Sequence, residues 1–147
     1  MAKLYFRHGA MNSGKTANML MVAHNYLAQN KDVIIFKPSK DTRWGEEDVV
    51  KSRAISGSFP AVLISDTDDL ESIIKCQTKK IHAILVEEAQ FLSKGHVRQL
   101  AIIADDFDIP VLCYGLRCSF MDGEMFEGSV ALMYWADSIE EIKTVCE

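Results

Sequence analysis

Gly9-Ala10-Met11-Asn12-Ser13-Gly14-Lys15-Thr16 fits the pattern G-x-x-x-x-G-K-[ST] at every position. The apolar run Leu4-Tyr5-Phe6 precedes it and an amphipathic stretch follows it directly. Strand, glycine loop and helix in that order turn a short pattern into a phosphate-binding prediction. The two glycines let the backbone curl until successive N–H groups converge on an anion. The helix that follows turns its positive end towards the same point. Gly9, Ala10, Met11, Asn12, Ser13 and Gly14 form the expected cradle, Lys15 reaches the β- and γ-phosphates, and the Thr16 hydroxyl sits on Mg²⁺. A glycine turn that binds nothing is the alternative; the flanking elements and the Lys-Thr pair weigh against it.

Outward from this loop, strand-like and helix-like segments alternate, which predicts an α/β fold of the P-loop NTPase-like kind, a mainly parallel sheet flanked by helices. The first strand is expected over Lys3 to Arg7. A helix follows over Thr16 to Gln29, with Met19, Ala23, Tyr26 and Leu27 on one face at the helical period. Val33 to Phe36 form the second strand, closed by Pro38, and the polar stretch Ser39 to Ser58 reads as loop. A third strand is expected over Ala61 to Ile64. Ser65 then caps a helix over Asp66 to Lys75, whose acidic first turn suits the helix dipole. Ile84-Leu85-Val86 is a continuous apolar run, as in a strand covered on both faces. Further on come a helix over Ser93 to Ala104, a strand over Pro110 to Tyr114, a loop from Gly115 to Gly128, a helix over Ser129 to Trp135 and a short strand over Ile142 to Val145. No repeat or composition shift divides the chain, so residues 1–147 read as one domain.

Apolar residues make up 48% of the chain and charged residues 25%, an ordinary soluble balance. The net charge of −5 argues against a broad nucleic-acid surface while leaving room for a local basic pocket. No stretch reaches membrane-spanning length and no signal peptide opens the sequence, so a cytoplasmic protein is expected. The four cysteines, Cys76, Cys113, Cys118 and Cys146, lie far apart and form no C-x-x-C pair. They read as free thiols, and no complete metal-binding set is present.

A second feature lies at the end of the central apolar run, where Glu87-Glu88-Ala89-Gln90-Phe91 follow. An acid at the carboxyl end of a buried strand is where a P-loop protein holds magnesium. Glu87 takes that position, one methylene longer than the usual aspartate, and Glu88 is placed to act as a general base on an acceptor hydroxyl or water. Asp41-Thr42-Arg43 lie in the polar loop after the second strand. Arg43 is a candidate to neutralise charge on a transferring phosphoryl group, with Asp41 orienting it or supporting magnesium. A solvent-facing charge pair is the plain alternative.

Together these segments resemble the type II thymidine kinases, P-loop deoxynucleoside kinases with a C-terminal zinc-binding lobe. The matching stretches are Ala10 to Thr16, Lys37-Pro38 with Asp41-Thr42-Arg43, Glu88-Ala89-Gln90-Phe91, Val111 to Arg117, Phe126-Glu127-Gly128-Ser129, and Ala136-Asp137 with Lys143 to Cys146. The resemblance spans essentially the whole chain in the correct order. It implies transfer of the γ-phosphoryl group of ATP to the 5′-hydroxyl of thymidine in nucleotide salvage, with ATP and Mg²⁺ as cofactors. It makes Glu88 the base, with Lys15 and Arg43 beside the transferred group, and puts Gln90, Asp41 and Glu87 on the nucleotide side. Met11, Phe91, Phe120 and Phe126 wall the nucleoside pocket, and a homotetramer is the implied assembly.

The sequence departs from the family pattern in three places. Glu87 stands where the family has aspartate. The loop Leu116-Arg117-Cys118-Ser119-Phe120-Met121-Asp122-Gly123 replaces a Thr-Asp-Phe version one residue shorter. The chain stops at Glu147, where the family continues into the zinc lobe and a loop covering the substrate; Cys146 matches the first zinc cysteine, and zinc is expected only with a longer C-terminus. The expectation is therefore a piece of a longer chain. Two other readings compete. A relative that binds ATP without transferring phosphate would suit the altered magnesium position. A nucleic-acid-dependent ATPase fragment would suit Glu-Glu-Ala-Gln, but the acidic charge opposes it.

Overall fold

The computed structural model describes residues 2–10, 14–39, 49–51, 58–117 and 126–143. The strands are β1 (Leu4–His8), β2 (Asp32–Pro38), β3 (Val49–Lys51), β4 (Ser58–Pro60), β5 (Val62–Ile64), β6 (Ile81–Val86), β7 (Val111–Gly115) and β8 (Ser138–Glu141). The helices are α1 (Lys15–Ala28), α2 (Leu70–Lys75), α3 (Lys94–Asp106) and α4 (Glu127–Trp135), with a 3-10 turn over Ala89–Phe91. Six strands form one sheet in the order β5-β2-β6-β7-β1-β8, and every pairing in it is parallel. All its strands therefore end at the same edge, where α/β proteins collect their ligands.

Strand alternation divides the core in two. Leu4, Phe6, Ile34, Phe36, Ile84, Val86, Val111 and Cys113 face the side covered by α2, α3 and α4. Tyr5, Val33, Ile35, Leu85, Leu112 and Tyr114 face the other, where α1 supplies Met19, Leu20 and Ala23. Because β6 and β7 lie inside the sheet with both faces covered, their sequences are nearly continuous apolar runs rather than alternating, with His82 near the start of β6 the exception.

Several expectations from the sequence are corrected. Leu27 is exposed, and Leu20 takes its place in the apolar face of α1. The helix after Ser65 begins later than its acidic run suggests. The Asp68 carboxylate accepts the Ser65 N–H at 2.7 Å and closes a turn, so Asp69 becomes the cap and accepts the Glu71 N–H at 3.1 Å. Within the stretch read as loop, β3 and β4 pair as an antiparallel two-stranded sheet. Of the strand expected over Ile142 to Val145, Ile142 and Lys143 are not in a strand and the other two residues lie outside the described ones; among the described residues the last strand is Ser138–Glu141. It is an edge strand with only one neighbour, so its polar, exposed residues carry no apolar signature.

Candidate active site

The predicted phosphate loop leaves β1 at the carboxyl edge, where the Gly9 N–H donates to the Gly115 carbonyl at 3.3 Å and ties it to the end of β7. Gly14 adopts φ 89°, a left-handed conformation that glycine reaches without strain, and its carbonyl accepts the Asn18 N–H at 2.9 Å. Helix α1 thus starts with its amide end at the loop. Met11, Asn12 and Ser13 lie outside the described residues, as do Asp41, Arg43, Phe120 and Cys146.

Lys15 donates to the Ala10 carbonyl at 2.7 Å. Burial lowers its ammonium pKa, while the nearby Glu88 carboxylate opposes that shift. The next residue reaches across the edge: the Thr16 hydroxyl donates to Glu87 Oε1 at 3.2 Å. Glu87 follows β6 directly, and its N–H still bonds to the Phe36 carbonyl at 2.9 Å, which fixes the backbone from which the carboxylate extends. Two hard oxygens from different elements at this separation suit magnesium, because adjacent oxygens on an ion bound at about 2.0–2.1 Å lie about 2.9 Å apart. Among the described residues no group of three or more His, Cys, Asp or Glu side chains could hold a metal by itself.

Glu88 is a non-glycine residue at φ 56° and ψ 44°. Such backbone costs roughly 1 kcal/mol or more and persists only where the surroundings impose it. Here it turns the chain out of β6 into the 3-10 turn, so that Glu87 and Glu88 leave the strand in different directions. Gln90, predicted on the nucleotide side, is 2% exposed, and its amide lies between Glu88 and β7. Phe91 meets Phe126 edge to face, ring centroids 5.6 Å apart at 74°. The aromatic pair expected to wall a base is therefore assembled beside Glu88 from segments 35 positions apart in the chain, by subtraction of 91 from 126.

Some of the site is invisible in local sequence. The Ser129 hydroxyl, fully buried at the start of α4, donates to the Leu116 carbonyl in a short hydrogen bond. Arg7, Asn18 and Tyr114 form a polar knot at the foot of the phosphate loop. Arg7 Nη1 donates to the Tyr114 hydroxyl at 2.9 Å and to Asn18 Oδ1 at 3.2 Å, and the Tyr114 hydroxyl donates to Asn18 Oδ1 at 2.9 Å. Arg7 also pairs with Glu140 on β8 at 3.1 Å. Burial acts to lower the Arg7 pKa, but Tyr114 and Glu140 together outweigh it and leave it raised. The spacing of the glycines at 115 and 128 was the one available hint of close packing around this edge.

A parallel six-stranded sheet with a Gly-Lys-Thr loop at the end of β1 and an acid at the end of β6, with β7 between them, defines the P-loop class of nucleotide-binding proteins. The Pif1 helicase from Candida albicans has the same fold, with a TM-score of 0.52 at 12% identity over 99% of this chain and 37% of its own. At the level of sequence, the family described as thymidine kinase matches residues 2–147. A thymidine kinase of Streptococcus gordonii is 46% identical over 147 residues, covering 100% of this chain and 75% of the relative. Thymidine kinases of Listeria monocytogenes, 45% identical, and Rhodopirellula baltica, 42% identical, align with 99% of this chain and with 75% and 69% of their own lengths. The chain belongs to the thymidine kinase family.

Proposed function

We propose that this chain transfers the γ-phosphoryl group of ATP to the 5′-hydroxyl of thymidine, giving dTMP and ADP. The observation that carries this reading is the convergence at one sheet edge of the Lys15 ammonium, the Thr16–Glu87 oxygen pair and the Glu88 carboxylate. Glu88 takes the proton from the 5′-hydroxyl as that oxygen bonds to the γ-phosphorus, and the bond from phosphorus to the β,γ-bridging oxygen breaks to release ADP. Lys15 and the loop N–H groups hold the phosphate chain and its developing charge. Thr16 and Glu87 would hold magnesium, which would supply further charge neutralisation. Arg43, supported by Asp41, neutralises charge on the transferred group. Phe91 and Phe126, with Met11 and Phe120, wall the thymine, for which flat aromatic faces suit a pyrimidine ring.

The same reading includes a cytoplasmic salvage role and a homotetramer; exposed Val130, Met133 and Tyr134 on α4 support assembly of copies. Among the described residues, no helix is long and apolar enough to cross a membrane.

The test is phosphoryl transfer from MgATP to a panel of thymidine, deoxyuridine, deoxycytidine and purine nucleosides. Thymidine is expected to be the preferred acceptor. Glu88→Gln should lower turnover by about 10²–10⁴-fold with little change in ATP affinity, because it removes the base and spares the cradle. Lys15→Ala should weaken both. Equal loss of turnover and ATP affinity in Glu88→Gln would remove Glu88 from the role of base.

A further inference from the structure

Among the described residues, the Gln90 side chain is the one buried amide at the site, and each end of it is committed. Its Oε1 accepts the Leu116 N–H at 3.1 Å, and its Nε2 donates to Glu88 Oε2 at 2.6 Å. The orientation follows from chemistry: a backbone N–H can only donate, so the amide oxygen must face Leu116 and the NH₂ must face Glu88. Room for the amide exists because residue 115 is glycine. A Cβ there would stand 2.5 Å from Gln90 Oε1 and 2.9 Å from the Gln90 nitrogen. The Leu116 peptide that anchors it is held on its other side by the Ser129 hydroxyl. A continuous line of hydrogen bonds thus runs from Glu88 through Gln90 and Leu116 to α4.

We infer that Gln90 is a positioning residue for phosphoryl transfer, one that fixes the rotamer of the Glu88 carboxylate by holding Oε2 and so assigns Oε1 as the oxygen that receives the acceptor proton. This rests on the reading of Glu88 as the base. An amide NH₂ donates but does not accept, so the oxygen it holds is the anchored one. Without this anchor the carboxylate rotates about its side-chain torsions, and a displacement of the order of 1 Å at a reacting group lowers rate by roughly 10²-fold. Gln90 is too deeply buried to touch a nucleotide, so the effect must appear in turnover and not in ATP binding. The anchor also joins the base to the end of β7 through the Leu116 N–H.

The test uses the full chain with saturating MgATP and thymidine, comparing Gln90→Met and Gln90→Leu, each close to glutamine in size and each lacking the donor. Both are expected to lower kcat by roughly 10- to 100-fold while KM for ATP stays within about twofold. In a Glu88→Gln background, followed by slow product accumulation, Gln90→Met should cause no further loss, because its effect acts through the carboxylate. Undiminished turnover in either variant, or the same proportional loss in both backgrounds, would overturn the inference while leaving Glu88 as base. Retained turnover in Glu88→Gln alone would instead overturn the base assignment. A measurement free of any Gln90 substitution completes the test: the Gln90 side-chain amide resonance should be protected from exchange in the parent protein and lose that protection in Glu88→Ala. Rapid exchange in the parent protein would count against the anchor.

Discussion

Glycine 128 has no space for a methyl group. A Cβ there would collide with the Ala89 carbonyl and come within 2.9 Å of the carbonyls of Gln90 and Leu92. All three are backbone atoms of the segment that carries Glu88, so no side chain can rotate away to make room. Gly128→Ala should cost about 1–3 kcal/mol by overpacking, measured by urea denaturation, and should lower turnover because relief requires that segment to shift. At this scale the sequence was informative where chemistry and spacing coincide. Lys15, Thr16, Glu87 and Glu88 announce themselves through the glycine loop and the acid after an apolar run. Gln90 is visible only as part of a family pattern, because its anchoring partner, Leu116, lies 26 residues away and is a backbone group. Ser129, too, stands in the sequence only as part of the family pattern, and its buried bond to Leu116 exists only in three dimensions.

Helix α1 is held to the sheet by apolar packing along its length and by the Arg7–Tyr114–Asn18 knot at its first turn. The knot also couples that turn to β8 through Glu140. Tyr114→Phe removes the hydroxyl that accepts from Arg7 and donates to Asn18, while the ring keeps its place against Met19 and Leu20. The loss should be about 1–2 kcal/mol in chemical denaturation, with a modest rise in KM for ATP as the base of the phosphate loop loosens. Elements with an apolar period were legible in sequence to within a residue or two, as for α1, α3 and β7, while β6 begins three residues before the run Ile84 to Val86 because His82 interrupts its apolar signal. Those without one were not. β8 is a polar edge strand, β3 and β4 sit in a charged stretch, and the start of α2 depended on which of several aspartates closed the preceding turn. Composition does not rank equivalent caps; geometry does.

Across the whole molecule, the strand–helix alternation was enough to predict a parallel α/β sheet, but not the order of its strands, which is set by pairings between distant segments. Burial in this sheet also sets an alkaline limit to stability. Burial raises the Cys113 thiol well above its ordinary value near 9, and raises Tyr114 above its ordinary value near 10 against the opposing charge of Arg7. As pH climbs past the thiol's ordinary value, the unfolded chain releases a proton that the folded chain retains. The stability gained from this group is whole below that pH and falls above it, by about 1.4 kcal/mol per pH unit. Tyr114 adds a decline of the same sign from its own ordinary value upward. Urea midpoints measured from pH 7 to 10.5 should therefore hold steady and then fall from about pH 9. A flat profile through pH 10 would contradict the buried placement of Cys113.

The gathering of every strand end on one edge divides labour between a frame and its connections. The phosphate-holding groups hang on the connections after β1 and β6, whereas Phe126 and the segment leading to it hang on the connection after β7. No substrate needs to touch the frame itself. On the proposed reading, the connection after β6 serves both halves of the enzyme, Glu87 the phosphate donor and Glu88 with Phe91 the acceptor. Retuning the acceptor side without disturbing the donor side is therefore confined to the connection after β7.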